Sequence, residues 1–105
     1  MIPSGEPDPT SSADEAEVTL VPERHAVLLA GREVALTPTQ FRLFAALVGR
    51  PGHAWSREEL VERSIGTLVT ERTVDVHIKE LRRKLGPHGG LIEAVRGVGY
   101  RYRGQ

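Results

Sequence analysis

The stretch ERTVDVHIKELRRKL, residues 71–85, constrains the fold most, because its pattern fits a helix that is buried on one side only. Its large apolar residues recur every three or four positions and form one helical stripe: Val74, Ile78, Leu81 and Leu85. The opposite face is polar and largely basic: Arg72, Thr73, Lys79, Glu80 and Arg83. Val76 lies at the centre of that basic face. Either a partner meets this valine, or a loop or neighbouring domain covers it, or it is simply one of the isolated exposed valines that surfaces tolerate.

The charge of the chain is divided along its length, although the formal net charge is zero. Residues 1–36 hold seven acidic residues against two arginines, whereas residues 37–105 hold twelve Lys and Arg against seven acidic residues. The whole basic excess follows residue 71. This split is typical either of a C-terminal third that meets a polyanion or of an ordinary solvated surface.

Length and composition exclude several classes of protein. A chain of 105 residues fits a single domain, and without cysteine it has no disulfide, thiolate nucleophile or cysteine zinc site. No apolar run reaches the roughly 18 residues of a membrane span, and the N-terminus lacks a signal-peptide pattern. We therefore expect a cytoplasmic domain with no membrane partner. Residues 1–17, rich in Pro, Ser and acids, predict a disordered acidic tail or linker end before a domain at 18–105.

Local patterns predict a sheet and two helices before residue 70. The alternating segments VTLV, AVLL and EVAL predict a small antiparallel sheet between residues 18 and 36. Thr37 to Gln40 has the form of a capping box and begins a helix that Gly49 ends. The expected buried stripe of this helix is Phe41, Phe44, Ala45 and Val48. Ser56 and Glu59 form a second capping box, for a short helix that ends near Gly66.

The remaining residues predict a third helix and a hairpin. The third helix spans residues 70–85, with Thr70 as its cap and Gly86-Pro87 as its end. The segments LIEAV (91–95) and YRYR (100–103) then flank the glycine-rich tip RGVG. This order predicts an α+β fold: a winged helix-turn-helix with a small N-terminal antiparallel sheet, three helices and a C-terminal β-hairpin wing.

The third helix carries the chemistry for reading a DNA major groove. Such a groove admits a helix and is read by hydrogen-bond donors, acceptors and methyl contacts with thymine. Val76 and Thr73 offer methyl groups, while Lys79 and Arg83 offer phosphate contacts or pairing with guanine. At the hairpin tip, Arg96 lies beside glycines with little bulk, which suits insertion into a narrow minor groove. Taken alone, the same tip is equally typical of an ordinary surface hairpin.

Together these segments become specific. ERTVDVHIKELRRKL and AVRGVGYRYR resemble the DNA-binding effector domain of OmpR/PhoB-type response regulators of bacterial two-component systems. LTPTQFRLFAALVGRPGHAWSREELV resembles the family's first two helices, and VTLVPERHAVLLAGREVALT resembles its preceding sheet. The resemblance covers roughly residues 18–103 in one register. It implies sequence-specific binding of double-stranded DNA and a role in transcription regulation.

The resemblance implies roles for individual residues. Residues 70–85 match the family's recognition helix, which lies in the major groove. The positions that approach base edges are Thr73, Asp75, Val76 and Glu80. The positions that meet phosphates are Arg72, His77, Lys79, Arg82 and Tyr100, to which we add Arg83 and Arg101 as neighbouring cations. Arg96 matches the wing arginine of the minor groove. The family binds direct-repeat half-sites as a head-to-tail homodimer on DNA, and its loop between the second and third helices can touch RNA polymerase.

Three departures from the family pattern limit this transfer. Glu80 stands where some members place a base-reading arginine, so the preferred site should differ, for example through cytosine N4. Ile65-Gly66 replaces a common tryptophan–glycine pair, and a short loop, Thr67–Glu71, follows it where the polymerase contact would lie. Ser11–Glu17 is a poor strand sequence where the family's first strand should begin.

An enzyme is not expected, and neither is a cofactor or a metal site. His25, His53, His77 and His88 are scattered without the spacing of metal ligands, and Ser56 fits a helix cap better than a nucleophile. The alternative function is a winged helix used as a protein–protein interaction module, in which Val76 would anchor a protein partner. Salt separates the two, because DNA affinity falls steeply with salt and a protein interface depends on it far less.

Overall fold

The computed structural model describes residues 17–64 and 69–103, which form two small antiparallel sheets and three helices. The first sheet consists of β1 (Val18–Val21), β2 (Ala26–Leu29) and β3 (Arg32–Ala35). The helices are α1 (Pro38–Gly49), α2 (Arg57–Arg63) and α3 (Val74–Leu85). The second sheet consists of β4 (Trp55–Ser56), β5 (Ile92–Val95) and β6 (Gly99–Tyr102). This arrangement confirms the predicted α+β winged-helix fold.

The N-terminal sheet is the predicted meander, with strand order β1-β2-β3 and antiparallel pairing throughout. A short 3-10 turn, Pro22–Arg24, joins the first two strands. Ala30 and Gly31 join the next two, and both adopt positive φ (53° and 85°), as in the tight turns that match strand twist. β3 begins at Arg32, one residue earlier than expected. Val27 and Leu29 are buried on the face that packs against the helices.

Both predicted capping boxes are present. The Thr37 hydroxyl accepts from the Gln40 amide, and the Gln40 side chain accepts from the Thr37 amide in return. Ser56 and Glu59 repeat this exchange at the start of α2. Each exchange satisfies two amides that a helix otherwise leaves without partners. α2 ends at Arg63, and its predicted stop at Gly66 lies outside the described residues.

The buried side of α1 differs in part from the expected stripe. Phe41 and Phe44 are buried as predicted, but Ala45 and Val48 are only partly buried. Leu43 and Leu47, both fully buried, fill the centre instead. They are buried because α1 is covered by more than one neighbour, with α2 and α3 and strand β6 all packed against it.

The start of α3 is a correction to the sequence prediction. The helix begins at Val74 rather than at residue 70, and Thr73 precedes it with no side-chain cap. Instead, the Thr70 amide donates to the Thr73 hydroxyl, and that hydroxyl donates to the Thr70 carbonyl. These bonds hold residues 70–73 in a turn, so the Thr70 side chain does not cap the helix. The apolar stripe is confirmed, because its four residues are at most 2% exposed.

The hairpin belongs to a sheet of three strands in the order β4-β6-β5, which the sequence did not predict. A 3-10 segment, Gly86–Leu91, leads from α3 into β5, and residues 96–98 form the hairpin tip. β4 pairs with β6 through Trp55 opposite Tyr100 and Ser56 opposite Gly99. The hairpin is thereby attached to the segment that begins α2, and a Cβ on Gly99 would overlap the Trp55 carbonyl oxygen.

We predict that Gly99→Ala destabilises the domain by about 1–3 kcal/mol, because backbone atoms of β4 occupy the space that the new methyl group needs. Urea unfolding followed by circular dichroism measures the loss. Gly49→Ala is the matched control, since its Cβ would meet nothing within 4 Å in a helical segment. That control should be neutral or gain up to about 1 kcal/mol. Equal stability of the two variants would show that the contact between β4 and β6 does not require glycine.

Candidate nucleic-acid interface

The exposed face of α3 has the predicted composition. Val76 keeps 59% of its surface exposed, so nothing within residues 17–64 and 69–103 covers it. Arg72, Lys79 and Arg83 are exposed around it, and Thr73 and Glu80 are partly exposed at its edges. This face remains in water because burial of the opposite stripe fixes the rotation of the helix about its axis. We call it the α3 face: Arg72, Thr73, Val76, Lys79, Glu80 and Arg83.

Asp75, predicted as a base contact, lies at the flank of α3 and joins three elements. Its Oδ1 accepts from the Tyr100 hydroxyl on β6 at 2.5 Å and from the Arg57 guanidinium on α2 at 3.0 and 3.1 Å. These donors, Tyr100 first and Arg57 second, hold the pKa of Asp75 below its usual value. The carboxylate is therefore ionised at neutral pH and is bonded within the domain.

Tyr100, predicted as a phosphate contact, is 7% exposed. Burial, and then the bond to Asp75, raises the pKa of its hydroxyl. The guanidinium carbons of Arg57 and Arg82 lie 5.7 and 5.9 Å from the centre of its ring, within the range of cation–π contacts. Tyr100 thus connects the hairpin to α2 and α3.

Arg82, also predicted as a phosphate contact, donates from Nε and Nη2 to the carbonyl oxygen of Ile92, at 3.0 and 2.6 Å. This bond ties the last turns of α3 to the first residue of β5. Together, Asp75 near the start of α3 and Arg82 near its end attach the helix to both strands of the hairpin. Sequence reasoning missed this role, because nothing in a basic helical pattern distinguishes an arginine that faces outward from one that reaches a neighbouring strand.

Two oppositely charged side chains of the α3 face are paired. Glu80 Oε1 accepts from Arg83 Nε at 3.0 Å and from Arg83 Nη2 at 2.7 Å. These bonds lower the pKa of Glu80, which is therefore a carboxylate at neutral pH. Lys79 is exposed on the same face, whereas His77, about 160° away around the helix, is partly buried.

The hairpin tip exposes Arg96 and Val98 on either side of Gly97. The Val98 amide donates to the Val95 carbonyl, and Gly97 adopts a positive φ of 79°, so the chain reverses in three residues. Val98 keeps 40% of its surface exposed. Sequence reasoning missed it, although an apolar residue in an otherwise polar tip is the same signal that singled out Val76.

The strands behind the tip carry a second cluster of charge. Glu93 on β5 accepts from Arg101 Nε on β6 at 2.7 Å, and Arg103 Nε lies 3.4 Å from its other oxygen. Arg101, predicted as a phosphate contact, is exposed while it makes this bond. The hairpin therefore presents two arginines around one carboxylate.

No other chemistry stands out in the described part of the chain. Within residues 17–64 and 69–103, no three His, Asp or Glu side chains are arranged to hold a metal ion. None of the described helices combines the length and apolar character that spanning a membrane requires. The exposed cations and two exposed valines of α3 and the hairpin are the main candidate site.

Comparison with known proteins shows the family of the chain. The family model described as "Transcriptional regulatory protein, C terminal" matches residues 31–102. The phosphate regulon transcriptional regulatory protein PhoB of Escherichia coli (strain K12) is 38% identical over 89 residues, which cover 81% of this chain. They cover 39% of PhoB, so the chain spans about two fifths of the length of this relative.

Solved structures resemble the fold as well. The AdeR response-regulator DNA-binding domain, in complex with an intercistronic region, gives a TM-score of 0.72 at 30% identity and covers 84% of this chain and 95% of that one. The DNA-binding domain of Klebsiella pneumoniae RstA, in complex with the RstA box, gives a TM-score of 0.66 at 30% identity. This match covers 82% of this chain and 90% of the RstA domain. Both of these similar domains were solved in complex with DNA.

We predict that Asp75→Asn lowers the stability at pH 7 by up to about 1 kcal/mol, since the half-exposed carboxylate loses charge-assisted bonds to Tyr100 and Arg57. The folded-state pKa of Asp75 is lowered, so its contribution is present above the unfolded pKa of about 3.9 and is lost as the pH falls through the folded value. Urea unfolding at pH 7 and at pH 3 or below should show the two proteins converging at acid pH. Glu62→Gln, which neutralises an exposed carboxylate on α2, is the control. A gap between Asp75→Asn and the parent that is unchanged at acid pH would contradict the role of the charge.

Proposed function

Because this chain belongs to the OmpR/PhoB-type family of transcriptional-regulator C-terminal domains, we propose that it binds double-stranded DNA, with α3 in the major groove and the hairpin tip in the adjacent minor groove. The family and the fold are those of DNA-binding domains of transcription factors, not of enzymes. We further propose that it acts in the cytoplasm of a bacterial cell, where the chromosomal DNA lies.

The observation that carries this proposal is the composition of the α3 face. Its cations surround an exposed Val76. The apolar stripe on the opposite side of α3 is already buried in the core, so the α3 face is free to meet a ligand. A helix fits the major groove, where phosphates flank base edges that include the thymine methyl group. Val76 therefore meets a methyl group or another apolar base edge, while Arg72 and Lys79 contact the phosphates beside it.

The contacts inside the domain divide the proposed roles more sharply than the sequence did. Val76 and Glu80 on α3 remain available to base edges, as does the methyl group of Thr73, whose hydroxyl is bonded to Thr70. The exposed cations proposed for phosphates are Arg72, Lys79 and Arg101, while Arg83 is available either to a phosphate or to guanine. His77, also proposed for a phosphate, is partly buried on another side of α3. Tyr100 donates to Asp75, and Arg82 donates to the Ile92 carbonyl, so we propose that these three side chains mainly fix the angle between α3 and the hairpin. Because the angle is rigid, α3 and the hairpin can enter neighbouring grooves without losing conformational entropy on binding.

The tip of the hairpin suits a minor groove. Arg96 is exposed next to Gly97, which leaves room for the backbone to approach DNA, and narrow minor grooves attract arginine through their negative potential. We propose that Arg96 enters an A·T-rich minor groove beside the half-site that α3 reads. The domain would bind direct-repeat half-sites as a head-to-tail homodimer. A contact with RNA polymerase is proposed for the loop after α2, part of which lies outside the described residues.

The experiment is selection of bound duplexes from a random pool at about 0.15 M salt, near physiological ionic strength. An enriched direct repeat, with half-sites about 10–11 base pairs apart, would support sequence-specific tandem binding. No enrichment, with weak binding that disappears as salt rises, would contradict it. The winged helix would then be better explained as a protein-interaction module that uses Val76 as an anchor.

We predict that Val76→Ala weakens binding to the selected site by roughly 5- to 10-fold and leaves binding to unrelated duplexes unchanged, because a methyl contact reads sequence and a phosphate contact does not. Fluorescence anisotropy with the selected duplex and a scrambled duplex separates the two. Equal losses on both duplexes would contradict base reading by Val76.

Lys79→Gln provides the matched comparison. It should weaken both duplexes alike and reduce the slope of log affinity against log salt by about 0.9, the value for one phosphate contact. Arg42→Gln removes one cation from the exposed side of α1, away from the α3 face, and should leave both the slope and the affinities nearly unchanged.

A further inference from the structure

The α3 face contains one acidic side chain, Glu80, and that side chain is bonded to a neighbouring arginine on the same face. Glu80 is 44% exposed and Arg83 is 69% exposed, so the pair lies in water at the surface. At about 100° per residue, Arg83 points about 20° and Glu80 about 40° from the direction of Val76. The pair therefore lies near the centre of the α3 face rather than at its edge.

The geometry of the pair leaves specific atoms for a ligand. Both bonds from Arg83, through Nε and Nη2, end on Glu80 Oε1. One side of the planar guanidinium is occupied, and its outer edge keeps one N–H on Nη1 and one on Nη2 that point the same way. The Oε2 oxygen of Glu80 remains as an acceptor. The pair thus offers two parallel donors beside one acceptor.

We infer that Glu80 and Arg83 act as one unit that reads a G·C base pair in the major groove. The inference rests on the function proposed above and adds which base pair this part of α3 selects. The outer edge of Arg83 donates to guanine O6 and N7, and Glu80 Oε2 accepts from cytosine N4, the two contacts that G·C presents in the major groove. Because the pair is neutral as a whole, it also avoids the repulsion that an isolated carboxylate would meet among phosphates.

An A·T pair does not match this arrangement. Adenine presents one acceptor and one donor in the major groove, and thymine presents one acceptor and a methyl group. One of the two parallel N–H groups of Arg83 would then face the adenine amino group. Glu80 holds the guanidinium in this orientation, so the arginine cannot turn away without losing the two bonds to Oε1. Discrimination of about 5- to 150-fold for G·C is expected from one good bidentate contact.

The test is duplex selection with four proteins: the parent domain, Glu80→Gln, Arg83→Gln and the control Glu93→Gln. Glu93 is likewise a partly exposed carboxylate bonded to an arginine, Arg101, at 2.7 Å, but it lies on the hairpin. Glu93→Gln therefore removes one negative charge, as Glu80→Gln does, but outside the α3 face. Glu80 and Arg83 are exposed, so neither substitution removes a buried contact, and circular dichroism confirms folding.

We expect the parent to select one fixed G·C position in each half-site. Both Glu80→Gln and Arg83→Gln should bring the preference at that same position close to 1-fold, with a gain of A·T, which glutamine can bond. Glu93→Gln should keep the parent's preference for G·C at that position. Ratios between duplexes are compared, so a uniform change in affinity from the altered charge cancels.

Three results would overturn the inference. If the parent selects a clear site and both α3 variants select the same one, the pair does not read bases, although the proposed DNA binding stands. If only Arg83→Gln changes the preference, the arginine reads alone and Glu80 has no part in it. If the parent enriches no sequence, the proposed function fails first, and the inference fails with it.

Discussion

Burial of the apolar stripe of α3 is the constraint on which the rest of the structure depends. Val74, Ile78, Leu81 and Leu85 lie in the same core as the helices and both sheets, with at most 2% of each exposed. Burying one such side chain stabilises a fold by about 1.5–3 kcal/mol, so any other rotation of α3 would be strongly unfavourable. This rotation brings Val76 and its neighbouring cations to the surface. The site is therefore a consequence of core packing.

The second requirement is a fixed relation between α3 and the hairpin. Asp75 meets Tyr100 near one end of the helix, and Arg82 meets the Ile92 carbonyl near the other. Two attachments about two turns apart along α3 stop the hairpin from swinging about a single contact. Polar side chains on the flank of α3 thus serve its geometry, while those on the outer face stay available to a ligand.

Periodic and local signals could be predicted from the sequence, and contacts between distant residues could not. The stripe of α3, the meander and both capping boxes follow from patterns within a few residues. β4 has only two residues, too few for a pattern, and its partner Tyr100 lies 45 positions from Trp55. The helix start was misplaced because Thr70 and Thr73 are equally good caps by residue type. Asp75, Arg82 and Tyr100 match DNA-contact positions by resemblance, but their partners inside the domain appear only in three dimensions.

Amide chemical-shift mapping of the isotope-labelled domain, during titration with a short duplex at low salt, tests whether the α3 face and the hairpin tip bind DNA. We expect the largest shifts at residues 72–83 and 96–98, and small shifts in the N-terminal sheet and on the exposed side of α1. Shifts centred on β1–β3, or a titration with no shifts on α3, would contradict a DNA-binding role for the α3 face and the hairpin tip.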